Sequence, residues 1–445
     1  MLKKIKLSPY KVILFSFCFI ILTGGTVLSF PALTVNGQGT EWIDGIFTAA
    51  SAVCVTGLAV NDIGSTYNIY GKILIMFLIQ LGGLGLVTFS SLFIMTVSRK
   101  INYYTKKLVQ EDMNTETVFN IQNYVRKVVL IVLVIEFIGA FFLFFEFIKL
   151  FNFKKALFYA LFHSVSAFCN AGFSLFPDNL MSFKGSIIIN TVIPFLIITG
   201  GIGFATLINL WRYFWGKDRR LTITSKISLI FSSVLLIAGT FVIFLLEYRN
   251  PATMGNFTLA EKIGGAFFQS VTARTAGFNT ISIEGMEKGT VFLLILLMFI
   301  GASPASTGGG VKTTTVGLII LGIISTIQNR EDMEFSGRRI SWYSFNRSVA
   351  IISISLIYIC GILILLILSE TGAASLDLSF ELVSAFGTVG LTRNLTPGLG
   401  NFSKVIIIMT MFIGRVGPLT AALALSYKRL KKGKYRYPEE NILIG

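Results

Sequence analysis

The feature that most constrains this chain is a short segment that occurs four times. Each copy follows an apolar stretch too brief to cross a bilayer and ends at a glycine, namely Gly57, Gly172, Gly277 or Gly390. The glycines recur about every 110 residues, which is the signature of an internal repeat. We therefore expect four equivalent units whose short segments meet around one common axis.

Each copy predicts a half-length helix that unwinds at the glycine and exposes backbone carbonyl groups. Such backbone is tolerated at membrane depth only where it is buried in protein or lines water. Four of these turns around one axis form a cage of carbonyl oxygens that can replace the hydration shell of a cation, as in potassium-channel filters. Glycine permits the backbone conformations that turn carbonyls inward. The alternative, that the small residues only let helices pack closely, stays open at this point.

The predicted filter residues are the last three residues of each copy. The fourth copy even contains the Thr-Val-Gly tripeptide of potassium-channel filters. The full set is Val55, Thr56, Gly57, Asn170, Ala171, Gly172, Thr275, Ala276, Gly277, Thr388, Val389 and Gly390.

Composition places the chain in a membrane. Of its 445 residues, 53% are hydrophobic and only 13% are charged, and apolar runs of about 20 residues suit membrane spans. The net charge of +16 does not indicate nucleic-acid binding, because most Lys and Arg residues lie between the repeats. That distribution follows the positive-inside rule and puts the basic segments in the cytoplasm. The basic inner face is also expected to attract anionic lipid.

The predicted fold class is an all-α polytopic membrane protein with a pseudo-fourfold central pore. Four parallel repeats, each of span, pore loop and span, give eight transmembrane helices and four pore half-helices, with both termini cytoplasmic. The repeats comprise residues 1–98, 99–216, 217–328 and 329–445, the last with a C-terminal tail. We predict first spans at 12–30, 128–148, 227–246 and 349–368, short helices at 45–53, 156–168, 263–273 and 380–386, and return spans at 71–97, 185–210, 290–327 and 405–425.

The third return span carries a sequence that cannot hold a continuous helix. Pro304 removes a helical hydrogen bond, and each residue of the run Gly308–Gly310 costs about 1 kcal/mol relative to Ala. We expect two half-helices joined by a loop below the filter that acts as a gate; the alternative is a simple kink. Milder breaks are predicted at 82–85 and 200–203. The predicted gate residues are Gly301, Pro304, Gly308, Gly309, Gly310, Lys312 and Arg415.

Other polar residues within the spans favour structural roles. Glu136 is expected to pair with a neighbouring helix, and Arg274 to brace its loop by hydrogen bonding. The single histidine, His163, is expected to be packed or hydrogen-bonded and not to bind a metal. The sequence shows no nucleophile–base set and no zinc, phosphate-loop or dinucleotide motif, so we do not predict an enzyme.

These residues together make the chain resemble the Trk/Ktr/HKT superfamily of potassium transporters, in particular the membrane subunit of bacterial Ktr systems. The resemblance covers the whole chain. Its marks are the four glycines, the Ile-Ile-Thr-Gly-Gly-Ile-Gly-Phe stretch at 197–204, the glycine-rich third-unit loop and the Phe-Ile-Gly-Arg-Val-Gly-Pro-Leu stretch at 412–419. The loop departs from the serine- and alanine-rich form of many relatives.

The resemblance implies potassium uptake at a bacterial cell membrane, with K⁺ held by the filter carbonyls and Na⁺ as activator. It implies a homodimer with two separate pores and a cytoplasmic ring of RCK-type, KtrA-like regulatory subunits, which alone bind the nucleotide; no covalent cofactor is expected. It also implies that Gly57 favours K⁺ over Na⁺ and that Arg415 faces the gating loop. An alternating-access carrier for another small ion is the alternative. The basic tail at 428–436 is either a docking site for the partner or a solvated topology signal.

Overall fold

The computed structural model describes residues 9–85 and 121–418, and the described part of the chain is almost entirely helical. The predicted return span beyond residue 85, most of the basic segment that follows and the C-terminal tail lie outside the described residues. The described strands are β1 (Met333–Phe335) and β2 (Arg338–Ile340), which pair as an antiparallel hairpin between the third and fourth units.

The helices follow the predicted order of long helix, short helix and return helix. The long helices are α1 (Pro9–Leu28), α5 (Ile121–Phe147), α9 (Ile223–Glu247) and α13 (Trp342–Ser369). The short helices are α2 (Trp42–Val53), α6 (Phe153–Phe168), α10 (Leu259–Thr272) and α14 (Ser375–Gly387). The return helices are α4 (Ile69–Leu84), α7 (Ile187–Ile202) with α8 (Phe204–Phe214), α11 (Lys288–Phe299) with α12 (Thr313–Ile327), and α15 (Asn401–Val416); a single turn, α3 (Ile63–Thr66), precedes α4.

Three of the long helices, α5, α9 and α13, are long and apolar enough to cross a membrane, and the bent pair α7–α8 gives a fourth candidate among the described residues. These helices expose large apolar side chains on their outer faces, for example Phe137 on α5, Ile237 on α9 and Ile357 on α13. Exposed apolar bands of this kind are what a helix presents to lipid. The core instead lies around the short helices, where Phe47, Phe162, Phe268, Phe380 and Phe386 are fully buried.

The short helices begin earlier than the apolar pattern predicted. Polar caps extend two of them: the Asn152 side chain accepts the Lys155 amide at the start of α6, and Thr258 with Glu261 forms a capping box at the start of α10. Among the short helices, the largest difference between a predicted and an observed start is at α14, which was predicted at 380–386 but starts at Ser375. Its polar residues disrupt the apolar run, yet Glu381 is buried and accepts hydrogen bonds from two threonine hydroxyls.

Within the described residues, α4, α7, α11 and α15 each end after 16 residues or fewer, and α4, α7 and α15 end at a single glycine. Gly85, Gly203 and Gly417 share nearly one conformation, with φ of 82, 98 and 93° and ψ of 131, 136 and 135°. The prediction of a mild break at 200–203 was wrong in degree, because α8 leaves α7 at 101°. The last return span was predicted at 405–425; α15 ends at Val416, and the part of that span beyond residue 418 lies outside the described residues. In the third unit the predicted break is present, and residues 300–312 separate α11 from α12.

Candidate functional site

The four predicted glycines lie together in a closed ring. A Cβ placed on Gly57 would contact the Ala171 carbonyl oxygen and the Cα of Gly172 at 3.1 Å. A Cβ placed on Gly172 would likewise lie 2.8 Å from the Cα of Gly277, one on Gly277 would lie 3.3 Å from the Cα of Gly390, and one on Gly390 would lie 3.0 Å from the Cα of Gly57. Each glycine therefore fills the space beside the next segment, and the ring closes from the fourth unit back to the first.

The backbone of the ring has the same unusual conformation in every segment. The residue two positions before each glycine has a positive φ, namely Val55 at 58°, Asn170 at 59°, Thr275 at 74° and Thr388 at 50°, and so have the glycines themselves. Positive φ is uncommon for non-glycine residues, and a valine or threonine there is a clear outlier. Such backbone strain persists only where the surrounding structure imposes it, and it concentrates at functional sites.

Serine hydroxyls of the short helices form hydrogen bonds with the backbone in and next to the ring, a feature that was not predicted from the sequence. The Gly57 amide donates to the Ser51 hydroxyl at 3.0 Å, and the Gly390 amide donates to the Ser384 hydroxyl at 3.1 Å. Ser166, at the matching position of the second unit, donates to the Phe173 carbonyl at 2.9 Å. The third unit has Val271 there. A serine six residues before three of the four glycines was the sequence signal that would have indicated this support.

Above the ring lies a vestibule with a volume of about 420 Å³. All four ring glycines line its floor, and Asp62, Asp178 and Glu284 are among its polar walls. Below the ring, each short helix ends directly before its segment, so the partial negative charge of four helix C-termini is directed to the same region. Carbonyl oxygens, helix termini and carboxylates all favour a cation along this axis.

The loop at residues 300–312 lies below the ring and is hydrogen-bonded to two other units, the second and the fourth. Toward the second unit, the Thr307 amide donates to the Gly200 carbonyl at 3.3 Å and the Thr307 hydroxyl to the Phe168 carbonyl at 3.2 Å. Toward the fourth unit, the Gly309 amide donates to the Thr388 hydroxyl at 2.9 Å. The structure thus brings the loop into direct contact with the segments that form the ring.

The two cations predicted at the gate both bind loop carbonyls. Lys312 Nζ donates to the Gly308 carbonyl at 2.7 Å, which holds the loop's own turn. The Arg415 guanidinium donates to the carbonyl of Thr307 and to the carbonyl of Gly82 at the end of α4. Arg415 therefore joins the fourth unit, the loop and the first unit at one point.

The remaining predicted polar residues have structural partners. Glu136 is buried on α5 and accepts a hydrogen bond from Gln80 of α4 at 3.2 Å, which confirms the predicted pairing with a neighbouring helix. Arg274 points away from the ring and donates to the Ser232 hydroxyl at 3.0 Å, as predicted for a brace. His163 is buried, with its Nδ1 2.8 Å from the Tyr159 carbonyl, as predicted for a packed histidine.

A buried ion pair that the sequence did not reveal ties the first unit to the fourth. Lys404 on α15 lies 2.6 Å from Asp44 in the first turn of α2, and both side chains are almost fully buried. Asn61 also donates to Asp44. The pair therefore joins α2 of the first unit to α15 of the fourth unit.

The fold and the site together define a class of protein: a polytopic membrane protein in which glycine segments from four units meet in one closed ring. Comparisons with known proteins identify the family. A family described as "TrkH: Cation transport protein" matches residues 19–435. The chain therefore belongs to the TrkH family of cation transport proteins, as the predicted resemblance indicated, and it is an ion transporter of the membrane and not an enzyme.

Three curated relatives match over essentially the whole chain. Ktr system potassium uptake protein B of Bacillus subtilis (strain 168) is 40% identical and covers 100% of this chain and 98% of its own length. The protein of the same name from Vibrio alginolyticus is 38% identical, over 99% of this chain and 96% of its own. Potassium/sodium uptake protein NtpJ of Enterococcus hirae is 36% identical, over 99% of this chain and 98% of its own length.

A solved structure shares the fold. The crystal structure of the potassium transporter TrkH from Vibrio parahaemolyticus aligns with a TM-score of 0.74 over 96% of this chain and 86% of that chain. Its sequence identity is 17%, so this likeness supports the fold alone.

Proposed function

We propose that this chain is the ion-translocating subunit of a Ktr-type potassium uptake system. Relatives at 40 and 38% identity over the whole chain are named potassium uptake proteins. Another relative is named a potassium/sodium uptake protein, which supports a role for Na⁺. The observation that carries the proposal is the closed ring of Gly57, Gly172, Gly277 and Gly390.

The proposed filter consists of the twelve predicted residues that end at these glycines. Positive φ at two residues of each segment is the backbone feature expected where successive carbonyls must face one side. A dehydrated K⁺ is held there by carbonyl oxygens, and the four helix C-termini add negative potential. The four segments differ in sequence, with Val55, Asn170, Thr275 and Thr388 at equivalent positions. We therefore expect weaker discrimination than in a symmetric tetrameric channel.

The proposed gate is the loop at residues 300–312 with Lys312 and Arg415. The loop's hydrogen bonds to the second and fourth units must break before it can leave the axis. Each such bond contributes on the order of 1 kcal/mol net, so several together favour the blocked arrangement. An external signal is then needed to shift the loop, which agrees with control by a regulatory subunit.

The assembly that we propose follows the family resemblance. The four repeats at 1–98, 99–216, 217–328 and 329–445 form one pore domain with eight membrane spans and pseudo-fourfold symmetry. Two copies form a homodimer in the bacterial inner membrane, with the termini and an RCK-type, KtrA-like ring on the cytoplasmic side. The nucleotide is bound by that ring, and Na⁺ acts as activator. The relatives named as proteins of a Ktr system support a system of several components.

The alternative function, an alternating-access carrier, is less well supported. Carriers typically combine inverted repeats with broken helices that cross at a central substrate site. Here the breaks at Gly85, Gly203, residues 300–312 and Gly417 all follow the short helix of their unit in the same order. Four parallel units with a shared ring favour a pore.

Growth rescue tests the proposed function. The chain is expressed in cells that lack potassium uptake, and growth is measured at low external K⁺ with and without Na⁺ and with a candidate regulatory subunit. We expect rescue that depends on K⁺ and increases with Na⁺. An expressed, membrane-located protein that gives no rescue under any of these conditions would contradict the proposal.

A further inference from the structure

The helix α8 runs nearly at a right angle to the membrane-crossing helix that precedes it. The bend of 101° lies at Gly203. The middle of α8 is joined to the start of α9, because the Thr222 amide donates to the Asn209 side chain at 3.0 Å. A helix of 25 residues is about 37 Å long and exceeds a hydrocarbon core of about 30 Å. Thr222, the N-cap of α9, therefore lies at a membrane surface, which the predicted topology identifies as the inner one, and α8 lies along that surface.

The end of α8 and the turn after it expose a cluster of large aromatic side chains. Trp211, Phe214 and Trp215 are 47, 79 and 69% exposed, and Tyr213 is also exposed. The two tryptophan rings lie 6.1 Å apart. Tryptophan and tyrosine concentrate at membrane–water interfaces, where an apolar ring with a polar edge is favoured. An aromatic cluster in water would instead be a liability.

Basic residues follow the aromatic cluster directly. Lys217, Arg219 and Arg220 are exposed, and Lys217 Nζ lies 5.1 Å from the centre of the Trp211 ring. Asp218 is engaged by Arg212 at 2.9 Å, so it does not neutralise these three cations. Aromatic rings beside exposed cations at this depth match an anionic lipid headgroup above an acyl chain.

The first turn of α8 is bonded to the loop below the ring. The Phe204 amide donates to the Ala305 carbonyl at 2.8 Å. One turn earlier, the Gly201 carbonyl accepts the Ser303 amide at 2.9 Å. Phe204 itself is buried. A tilt or shift of α8 at the membrane surface therefore acts on the loop without an intervening flexible segment.

We propose that residues 204–220 form an interfacial segment that binds anionic phospholipid of the inner leaflet and thereby sets how readily the loop at 300–312 opens. This inference rests on the proposed function for its flux readout. Its ligand is a phospholipid with a negatively charged headgroup, recognised by the Lys217, Arg219 and Arg220 cluster. The aromatic rings hold the segment at the surface, and the Phe204–Ala305 hydrogen bond transmits its position.

The first test measures K⁺ flux of the purified full chain in vesicles of phosphatidylcholine with or without phosphatidylglycerol. We expect phosphatidylglycerol to change the flux several-fold and the triple variant Lys217→Gln, Arg219→Gln, Arg220→Gln to lose that response. The matched control replaces Arg338, Arg339 and Arg347 by Gln, which removes three exposed cations from the same side, and it should keep the response. Flux that is present but insensitive to phosphatidylglycerol, or a response that both variants lose equally, would overturn the inference.

A second test does not require flux. A variant with Trp42→Phe, Trp211→Phe and Trp342→Phe retains Trp215 as its single tryptophan, whose fluorescence is quenched by brominated acyl chains in contact with it. We expect stronger quenching by brominated phosphatidylglycerol than by brominated phosphatidylcholine, and equal quenching once the three cations are replaced. No quenching by either lipid, together with burial of Trp215 when a regulatory subunit is added, would assign the surface to a protein partner instead. Preferential quenching without K⁺ flux in any vesicle would retain the lipid site and contradict only the proposed function.

Discussion

Replacing Gly57 by serine tests the ring most directly. Gly57 has φ of 95°, and an L-residue in the left-handed region costs roughly 1–2 kcal/mol. The new Cβ would also press on the Ala171 carbonyl, which is a proposed ligand, and would lie 3.1 Å from the Cα of Gly172. The ring must therefore distort at the junction of the first two units.

The expected consequence is weaker discrimination between K⁺ and Na⁺. A cage that loses about 1.4 kcal/mol of its preference for K⁺ loses a factor of ten in selectivity, and the strain at Gly57 is of that size. We expect the ratio of K⁺ to Na⁺ uptake to fall by about tenfold, with total cation flux retained. The measurement is initial uptake of each ion into vesicles that contain the purified protein.

The matched control is Gly37→Ser. Gly37 also has a positive φ, of 66°, but a Cβ there would meet nothing within 4 Å. This control carries a similar backbone strain in the same unit without contact to the ring, so its K⁺ to Na⁺ ratio should equal that of the unmodified protein. A folded Gly57→Ser protein with unchanged selectivity would refute the assignment of the first segment to the filter.

Three further substitutions test the loop and the buried charges. Thr307→Val removes the hydroxyl bond to the second unit, worth about 1 kcal/mol, and should raise basal flux by up to roughly fivefold in vesicle assays; lower flux would count against a gate. Asp44→Asn leaves Lys404 buried without its counter-charge, at a cost of about 3–5 kcal/mol, so the melting temperature in detergent should fall sharply, and adding Lys404→Met should recover part of the loss. Glu136→Gln should leave the pH dependence of flux unchanged, because that side chain serves helix pairing; an altered pH profile would indicate a proton-linked role instead.

The features that could be predicted from the sequence are those set by local backbone chemistry. A glycine needed for an unusual backbone conformation is visible in the sequence when its flanks repeat, and Gly57 and Gly390 both have a positive φ. Pro304 and the glycines near it exclude a helix wherever they fold, so the break between α11 and α12 could be predicted too. In both cases the determining interaction lies within a few residues.

The remaining features depend on neighbours that a linear pattern does not name. Lys404 and Asp44 are 360 positions apart, and nothing around either residue identifies the other. A break was predicted at 200–203, but the size of the bend at Gly203 was not, because the apolar run continues through it into Phe204 and has the pattern of one span. The Ser51 support was missed since a serine in a short helix suits packing equally well. Each error concerns which surfaces meet in space.

In the proposed mechanism, the return helices provide the contacts by which a loop in one unit blocks a pore built from four. Where α4, α7 and α15 end, the carbonyls of Gly82, Gly200 and Gly414 accept hydrogen bonds from outside their own helices, as the carbonyls of a last helical turn commonly do. Arg415 donates to Gly82, the Thr307 amide to Gly200 at 3.3 Å, and the Gly310 amide to Gly414 at 3.3 Å. The third unit alone lacks a single-glycine break, and its loop, with Arg415, occupies the carbonyls of the other three. The same groups that bind the loop would face a permeating cation once it leaves, so blocking and conduction compete for one set of oxygen atoms.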